Sequence, residues 1–209
     1  LRGVADLDVD IVHDKPVSST RNKQVHRFLL TKRDWVLFLD SDMVPTFDAV
    51  NFLLDAAFGS CEKAVAVTGM ADQLTKGGPM PVLYRFEEGG IKAHAEILGS
   101  DPSDGPFDLS GGGAGAACVA VRRPVFTRFL EAGKVWFQDV LEEDVSSPKF
   151  GTRVLGQDAW FWRTCTELGI PTFAETRAYF GHVKPCDLSQ EARRIHALRL
   201  GKREGEAVA

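Results

Sequence analysis

Asp40, Ser41 and Asp42 close the stretch DWVLFLDSD, which runs from Asp34 to Asp42. Two carboxylates one residue apart supply hard oxygen donors of the kind that hold Mg²⁺ or Mn²⁺ beside a phosphate. On an extended chain Asp40 and Asp42 point the same way and Ser41 points opposite. The plainer alternative is that the acids only begin a turn and cap the next helix. The apolar run in front of them, Trp35 to Leu39, reads as a strand buried on both faces. Ligands of open α/β sheets gather beyond the carboxyl ends of such strands, which favours the metal.

Three other places carry candidate chemistry. Arg21 and Asn22 stand at a helix start; they read either as a solvated first turn or as a forked partner for phosphate. Asp158, in Gly156-Gln157-Asp158-Ala159-Trp160, is an acid in a first helical turn, a position that is electrostatically comfortable without any function. Trp160 and Trp162 beside it are large rings able to line a pocket. His182, in Phe180-Gly181-His182, lies near a strand end and becomes a candidate third protein ligand if a metal sits nearby.

The elements that must position these residues alternate. Leu7 to Val12, LDVDIV, reads as a strand, and a helix follows from about Arg21 to Thr31. After the strand Trp35–Leu39, a second helix starts at Pro45-Thr46, with Thr46 as its cap and Phe47, Val50, Leu54, Ala57 and Phe58 as its apolar stripe. AVAVT, from Ala64 to Thr68, is another buried strand. Strand, helix, strand, helix, strand implies a parallel sheet with right-handed crossovers. Met70 to Pro81 reads as a polar loop, Val82 to Phe86 as a short strand, and 99–113 as a long loop rich in Gly, Pro and Asp that would close over a ligand. Ala116 to Val121 is a strand leading into a short helix. Gly156 to Leu168 is a helix, Thr172–Ala174 and Ala178–Val183 are short strands, and the tail carries an amphipathic helix within 187–209. No internal repeat or linker divides 1–209, so a single domain is expected.

Composition narrows the class. With 209 residues the chain can build one sizeable core, and 44% hydrophobic and 26% charged residues are ordinary for a globular protein. A net charge of −4 argues against a general nucleic-acid binder. No apolar run approaches the ~20 residues of a membrane span. Cys61, Cys118, Cys165 and Cys186 form no close pair and read as free thiols of a cytoplasmic protein. Leu1 is not a start methionine, so an origin partway into a longer protein is expected.

Taken in order, SSTRNKQV, DWVLFLDSDMVP, GAACVAVRRPVF, GQDAWFWRTCTELG and GHVKP resemble the nucleotide-diphospho-sugar transferase fold of the A-type glycosyltransferases, and most resemble family two. The resemblance runs from about Val9 to Pro185. It implies a Rossmann-like sandwich, a mostly parallel central sheet with helices on both faces. It implies that Asp40, Asp42 and His182 hold Mn²⁺ or Mg²⁺ on the diphosphate of a nucleotide sugar. Arg21, Asn22, Asp40, Ser41 and Gly113 would contact the donor, with the SGGGAGA run letting backbone approach the sugar. Asp158 would be the catalytic base of an inverting hexosyl transfer to an acceptor hydroxyl, on a glycan, lipid or small molecule.

The chain departs from the family in two ways. Gln157 stands where Glu is common, and the strand that normally holds the nucleobase is absent upstream of Leu7. The Q-x-x-R-W motif of processive synthases is also absent. A retaining transferase, a nucleotidyltransferase and a degenerate sugar-binding module stay open as alternatives.

Overall fold

The computed structural model describes residues 7–12, 16–60, 65–75, 78–87, 90–93, 106–143 and 152–183. In chain order its elements are α1 (Val17–Leu30), β1 (Trp35–Leu39), β2 (Met43–Val44), α2 (Phe47–Gly59), β3 (Ala66–Thr75), β4 (Gly78–Pro81), β5 (Leu83–Glu87), β6 (Gly90–Ala93), β7 (Pro106–Asp108), β8 (Gly112–Ala114), β9 (Cys118–Arg122), α3 (Arg123–Glu131), β10 (Val140–Glu143), β11 (Thr152–Leu155), α4 (Gln157–Glu167) and β12 (Thr172–His182).

Seven strands form the central sheet, in the order β1-β9-β3-β12-β2, with β4 on β3 and β7 on β12. Of the expected strand, helix, strand, helix, strand order, all but the first strand is present, but a mostly parallel sheet is not. Only β3 and β12 pair in parallel among the described residues; β9 runs antiparallel to both β1 and β3 and separates them. β1, β3 and β12 therefore still share one direction, and the carboxyl ends of β1 and β12 lie at the same edge.

β9 and residues 66–70 of β3 are buried on both faces, whereas β1 is partly buried with Leu39 exposed, and the side chains sort between two cores. Phe38, Ala66, Val119 and Val121 meet α1, α3 and α4 in one core; Leu37, Val67, Cys118 and Ala120 meet α2 in the other. Helices thus cover both faces, as expected. The α2 cap is also as expected, since the Thr46 hydroxyl accepts from the Ala49 amide at 3.1 Å. Its buried face is Ala49, Leu53, Leu54 and Ala57, and Phe47 stays 68% exposed.

Several expected elements change. LDVDIV is not a strand: Leu7, Val9 and Ile11 are exposed, while Asp8 and Asp10 pair with Arg33 and Arg27, each at 2.8 Å. Its alternation has no neighbouring strand to pair with among the described residues. The loop expected over Met70–Pro81 is instead the long end of β3 turning into β4. The two short strands after α4 are one, β12, with a register shift between Ala174 and Tyr179. Glu175 sits in that irregularity, fully buried, and Arg177 satisfies it through its backbone amide and two guanidinium bonds. Of the expected closing loop over 99–113, 106–108 and 112–113 are in strands held in sheets, and 99–105 lies outside the described residues. The tail within 187–209 lies outside them too.

Arg123, at the start of α3, closes the far end of α1. Its guanidinium donates to the carbonyls of Phe28, Leu29, Thr31 and Arg33, at 2.7 to 3.2 Å, and stacks on the Phe28 ring at 4.6 Å. Phe28 and Leu29 are in the last turn of α1, whose carbonyls lack partners within the helix, and Thr31 and Arg33 follow it.

Candidate functional site

α1 begins at Pro16-Val17 and delivers Arg21 inward, where it is 2% exposed. A guanidinium this deep needs acceptors on every side. One of its nitrogens donates to Asp40 Oδ1 at 2.5 Å and to the Ala116 carbonyl at 2.7 Å, with the Phe38 ring 4.8 Å below. Arg21 thereby ties the end of β1 to the turn before β9. The Asp40 amide completes the link by donating to the Ala117 carbonyl at 2.8 Å.

The two aspartates do not share a side by strand alternation. β1 ends at Leu39, and Asp40 to Met43 form a tight turn closed by the Met43 amide on the Asp40 carbonyl at 3.1 Å. A turn breaks the two-residue period on which that expectation rested. Asp40 faces Arg21, and Asp42 lies beside the end of β12. There the Val183 amide donates to the Asp42 carbonyl at 2.8 Å, and His182 is in register with Met43. The backbones of Asp42 and His182 are therefore adjacent; the His182 side chain is outside the described set. Among the described residues no group of three or more His, Cys, Asp and Glu gathers in a metal-holding cluster.

Asp158 arrives from the first turn of α4. Burial lifts its carboxyl above the ordinary range, the Ala116 amide and Arg21 oppose that, and the charges of Asp40 and Asp139 add to it. Asp158 thus feels the charges of the Arg21–Asp40 pair. A raised carboxyl beside a specific charge partner and a cavity is suited to taking a proton. Gln157 Nε2 donates to Asp158 Oδ1 at 2.8 Å. Asp139 holds the helix start: it accepts from the Gln157 amide and from the Ser18 hydroxyl, both at 3.1 Å, and so joins α4 to α1.

A cavity of about 590 Å³ opens on this cluster, lined by Val82, Tyr84, Gly115, Asp139, Gln157 and Asp158 among others. Tyr84 donates its hydroxyl to the Ala114 carbonyl at 3.1 Å, and burial with the nearby Asp158 charge keeps that hydroxyl protonated far above its usual range. A second cavity of about 760 Å³ lies on the other side of Asp139, along Asn22, Lys23 and His26 of α1.

Three expectations are therefore redrawn. Asn22 spends its amide on the Phe137 backbone, donating at 2.7 Å and accepting at 3.1 Å. Gly113 is buried against Trp162, whose ring atoms stand 2.6 Å from where a Cβ would be, so packing rather than a ligand requires glycine there. Gly115 is the residue of that run which lines the cavity. Trp162 is fully buried with its indole N–H on the Ala114 carbonyl at 2.6 Å, and Trp160 donates to the Val135 carbonyl; neither lines the pocket, and Tyr84 takes that place. Ser41 is exposed in the turn, a placement that leaves its expected contact with a donor as it was. Tyr84 and Asp139 carry no spacing that marks them in the sequence: one sits in an ordinary short strand, the other heads an acidic run.

No family model matches the chain, and no curated protein matches its sequence. Among solved structures, the crystal structure of A197 from STIV superposes with a TM-score of 0.51 at 20% identity, over 85% of this chain and 72% of that one. At this identity the likeness is one of fold. It agrees with a mixed α/β chain built on a central sheet.

Proposed function

We propose that the chain is a metal-dependent, inverting glycosyltransferase that moves one sugar from a nucleotide-diphosphate donor to an acceptor hydroxyl. The observation that carries this reading is Asp158, lifted by burial, set against the Arg21–Asp40 pair at the mouth of a cavity. Asp158 accepts the proton of the acceptor hydroxyl. That oxygen forms its bond to the anomeric carbon as the bond to the donor diphosphate breaks, and the diphosphate leaves with the electron pair. Arg21 holds Asp40 and the turn before β9 in place around the reacting groups.

Asp42 and His182, whose backbones are adjacent, would supply the oxygen and nitrogen donors for Mn²⁺ or Mg²⁺, with Asp40 nearer to a structural role because Arg21 engages it. Bound there, the cation supplies charge that offsets the leaving diphosphate. No helix among the described residues is long and apolar enough to cross a membrane. Cys118 and Cys165 are buried free thiols, in keeping with a cytoplasmic enzyme.

Calorimetric titration with UDP, GDP and CDP, with and without Mn²⁺, tests the reading. We expect one nucleotide to bind in a Mn²⁺-dependent manner and Asp42→Ala to abolish the metal-dependent part without lowering the melting temperature by more than a few degrees. Nucleotide affinity that is unchanged in Asp42→Ala refutes the metal assignment.

A further inference from the structure

β1 is an end strand of the central sheet: it pairs with β9, and among the described residues no strand lies on its other side. The register fixes which backbone groups that leaves over. The Asp40 amide donates to the Ala117 carbonyl and the Arg123 amide to the Asp34 carbonyl, each at 2.8 Å. Residues 34, 36, 38 and 40 therefore turn their amides and carbonyls toward β9. Trp35, Leu37 and Leu39 turn theirs outward, along the open edge. The side chains are left equally unfinished. WVLFL is apolar throughout, yet only Phe38 is buried and Leu39 is 40% exposed. On the face of Trp35, Leu37 and Leu39, α2 lies over β12, β3 and β9. From its last turn Phe58 meets Trp35 edge-on at 5.5 Å while staying 38% exposed. Edge strands of monomeric proteins commonly carry a lysine, a proline or a bulge that keeps other strands away, and WVLFL has none of these.

We propose that this edge is an interface with a second copy of the chain, in which two β1 strands pair antiparallel about Leu37. A two-fold axis there sets Leu37 opposite the partner's Leu37, and Trp35 opposite the partner's Leu39. These are the residues whose amides and carbonyls face outward, so every one of those groups gains a partner, and the central sheet runs on from one copy into the next. On the α2 side, the rings of Trp35 and Phe58 flank the partner's Leu39, an aromatic–aliphatic pair made twice by the symmetry. The charges at the strand ends choose the direction. Lys32 and Arg33 precede β1, and Asp40 and Asp42 follow it. Antiparallel pairing lays the basic end of one copy beside the acidic end of the other, whereas parallel pairing would lay like on like. The one like-charged pair this creates, Asp34 with the partner's Asp40, falls where Arg21 already meets the Asp40 charge. The interface does not depend on what the cavity at Asp158 binds.

Sedimentation velocity on the full chain, over a series of concentrations, tests the interface. We expect a reversible monomer–dimer equilibrium. Leu39→Lys puts a charge on the open edge at an exposed position, so it should leave the melting temperature of the dilute protein unchanged. It should raise the dimer dissociation constant by about tenfold or more, because it strikes two symmetry-related pairs at once. Crosslinking then reads the register, scored against the parent chain to subtract its own cysteines. A short bis-maleimide should join Leu37→Cys into a covalent dimer, since that residue faces its own copy. It should leave Leu39→Cys monomeric, because the two copies of position 39 lie four residues out of register, roughly 14 Å apart along the strands. A chain that stays monomeric at every concentration, as it would if a different strand took the edge, overturns the proposal. So does a dimer that Leu39→Lys does not weaken, or equal crosslinking at positions 37 and 39.

Discussion

Replacing Arg21 with methionine keeps most of the side chain's volume and removes its charge and donors. The cost follows from what each partner does afterwards. Removing one member of a buried ion pair costs about 3–5 kcal/mol when the survivor stays buried. Asp40 is 41% exposed, so water can reach it and its share must be discounted. The Ala116 carbonyl has no such relief, because Ala116 is 2% exposed, and a hydrogen bond from a charged donor contributes about 1.5–3 kcal/mol. Losing the cation over Phe38 adds about 0.5–1 kcal/mol. Together these give an expected loss of about 2–4 kcal/mol in urea unfolding at unchanged m-value. The double variant Arg21→Met/Asp40→Asn decides whether the unpaired carboxylate matters. It should be more stable than the sum of the single effects predicts, by about 0.5–3 kcal/mol, as expected for residues in direct contact. A loss under about 1 kcal/mol for Arg21→Met, or strict additivity in the double variant, would refute the claim that Arg21 fastens β1 to the turn before β9.

Two further outcomes are expected from the same geometry. Gly113→Ala sets a methyl 2.6 Å from the Trp162 ring and should cost about 1–3 kcal/mol by overpacking, measured by thermal or urea melting, whereas a neutral result would restore Gly113 as a position kept for a ligand. Asp158 has a raised carboxyl, so the folded protein holds that proton more tightly than the unfolded chain; the stability it lends is present below the ordinary carboxyl range and is lost as pH rises through the folded value. Asp158→Asn removes that loss, and its melting temperature should exceed that of wild type near neutral pH, with the gap closing in acid; a gap constant with pH would contradict the burial argument.

The pieces of this fold that were legible in the sequence are those with local chemistry. Thr46 announced α2 because a hydroxyl placed ahead of a helix has one useful thing to do. Trp35 to Leu39 announced a strand that stops at an acid, though of its residues only Phe38 is buried and Leu39 is exposed. The direction of β9 was not legible: an unbroken apolar strand such as AACVAV reads the same whether its neighbours run with it or against it. The same ambiguity hid the β4 turn-back and let two halves of β12 look separate, since nothing short of the folded structure joins Glu175 to Arg177. At the site, Arg21, Asp40 and Asp158 lie together, a grouping that no local spacing in the sequence marks. The aromatic wall did not follow, because ring size cannot distinguish Trp162, which fills a core, from Tyr84, which borders a cavity. Asn22 and Gly113 likewise carry residue types fit for a ligand but spend them on Phe137 and Trp162.

α1 is fastened at each end by residues made much later. Its Arg21 waits for Ala116, 95 positions downstream, and its last carbonyls wait for Arg123, 94 and 95 positions beyond Leu29 and Phe28. At synthesis rates of about 5–20 residues per second, that is an interval of about 5–20 s on the ribosome. Throughout it the nascent helix carries a cation bound for the interior with its carbonyl partner unmade. The site's first element in the sequence is thus secured only once Ala116 and Arg123 have been made, and slowing translation between α2 and β9 should lengthen the window in which a chaperone or protease finds it open.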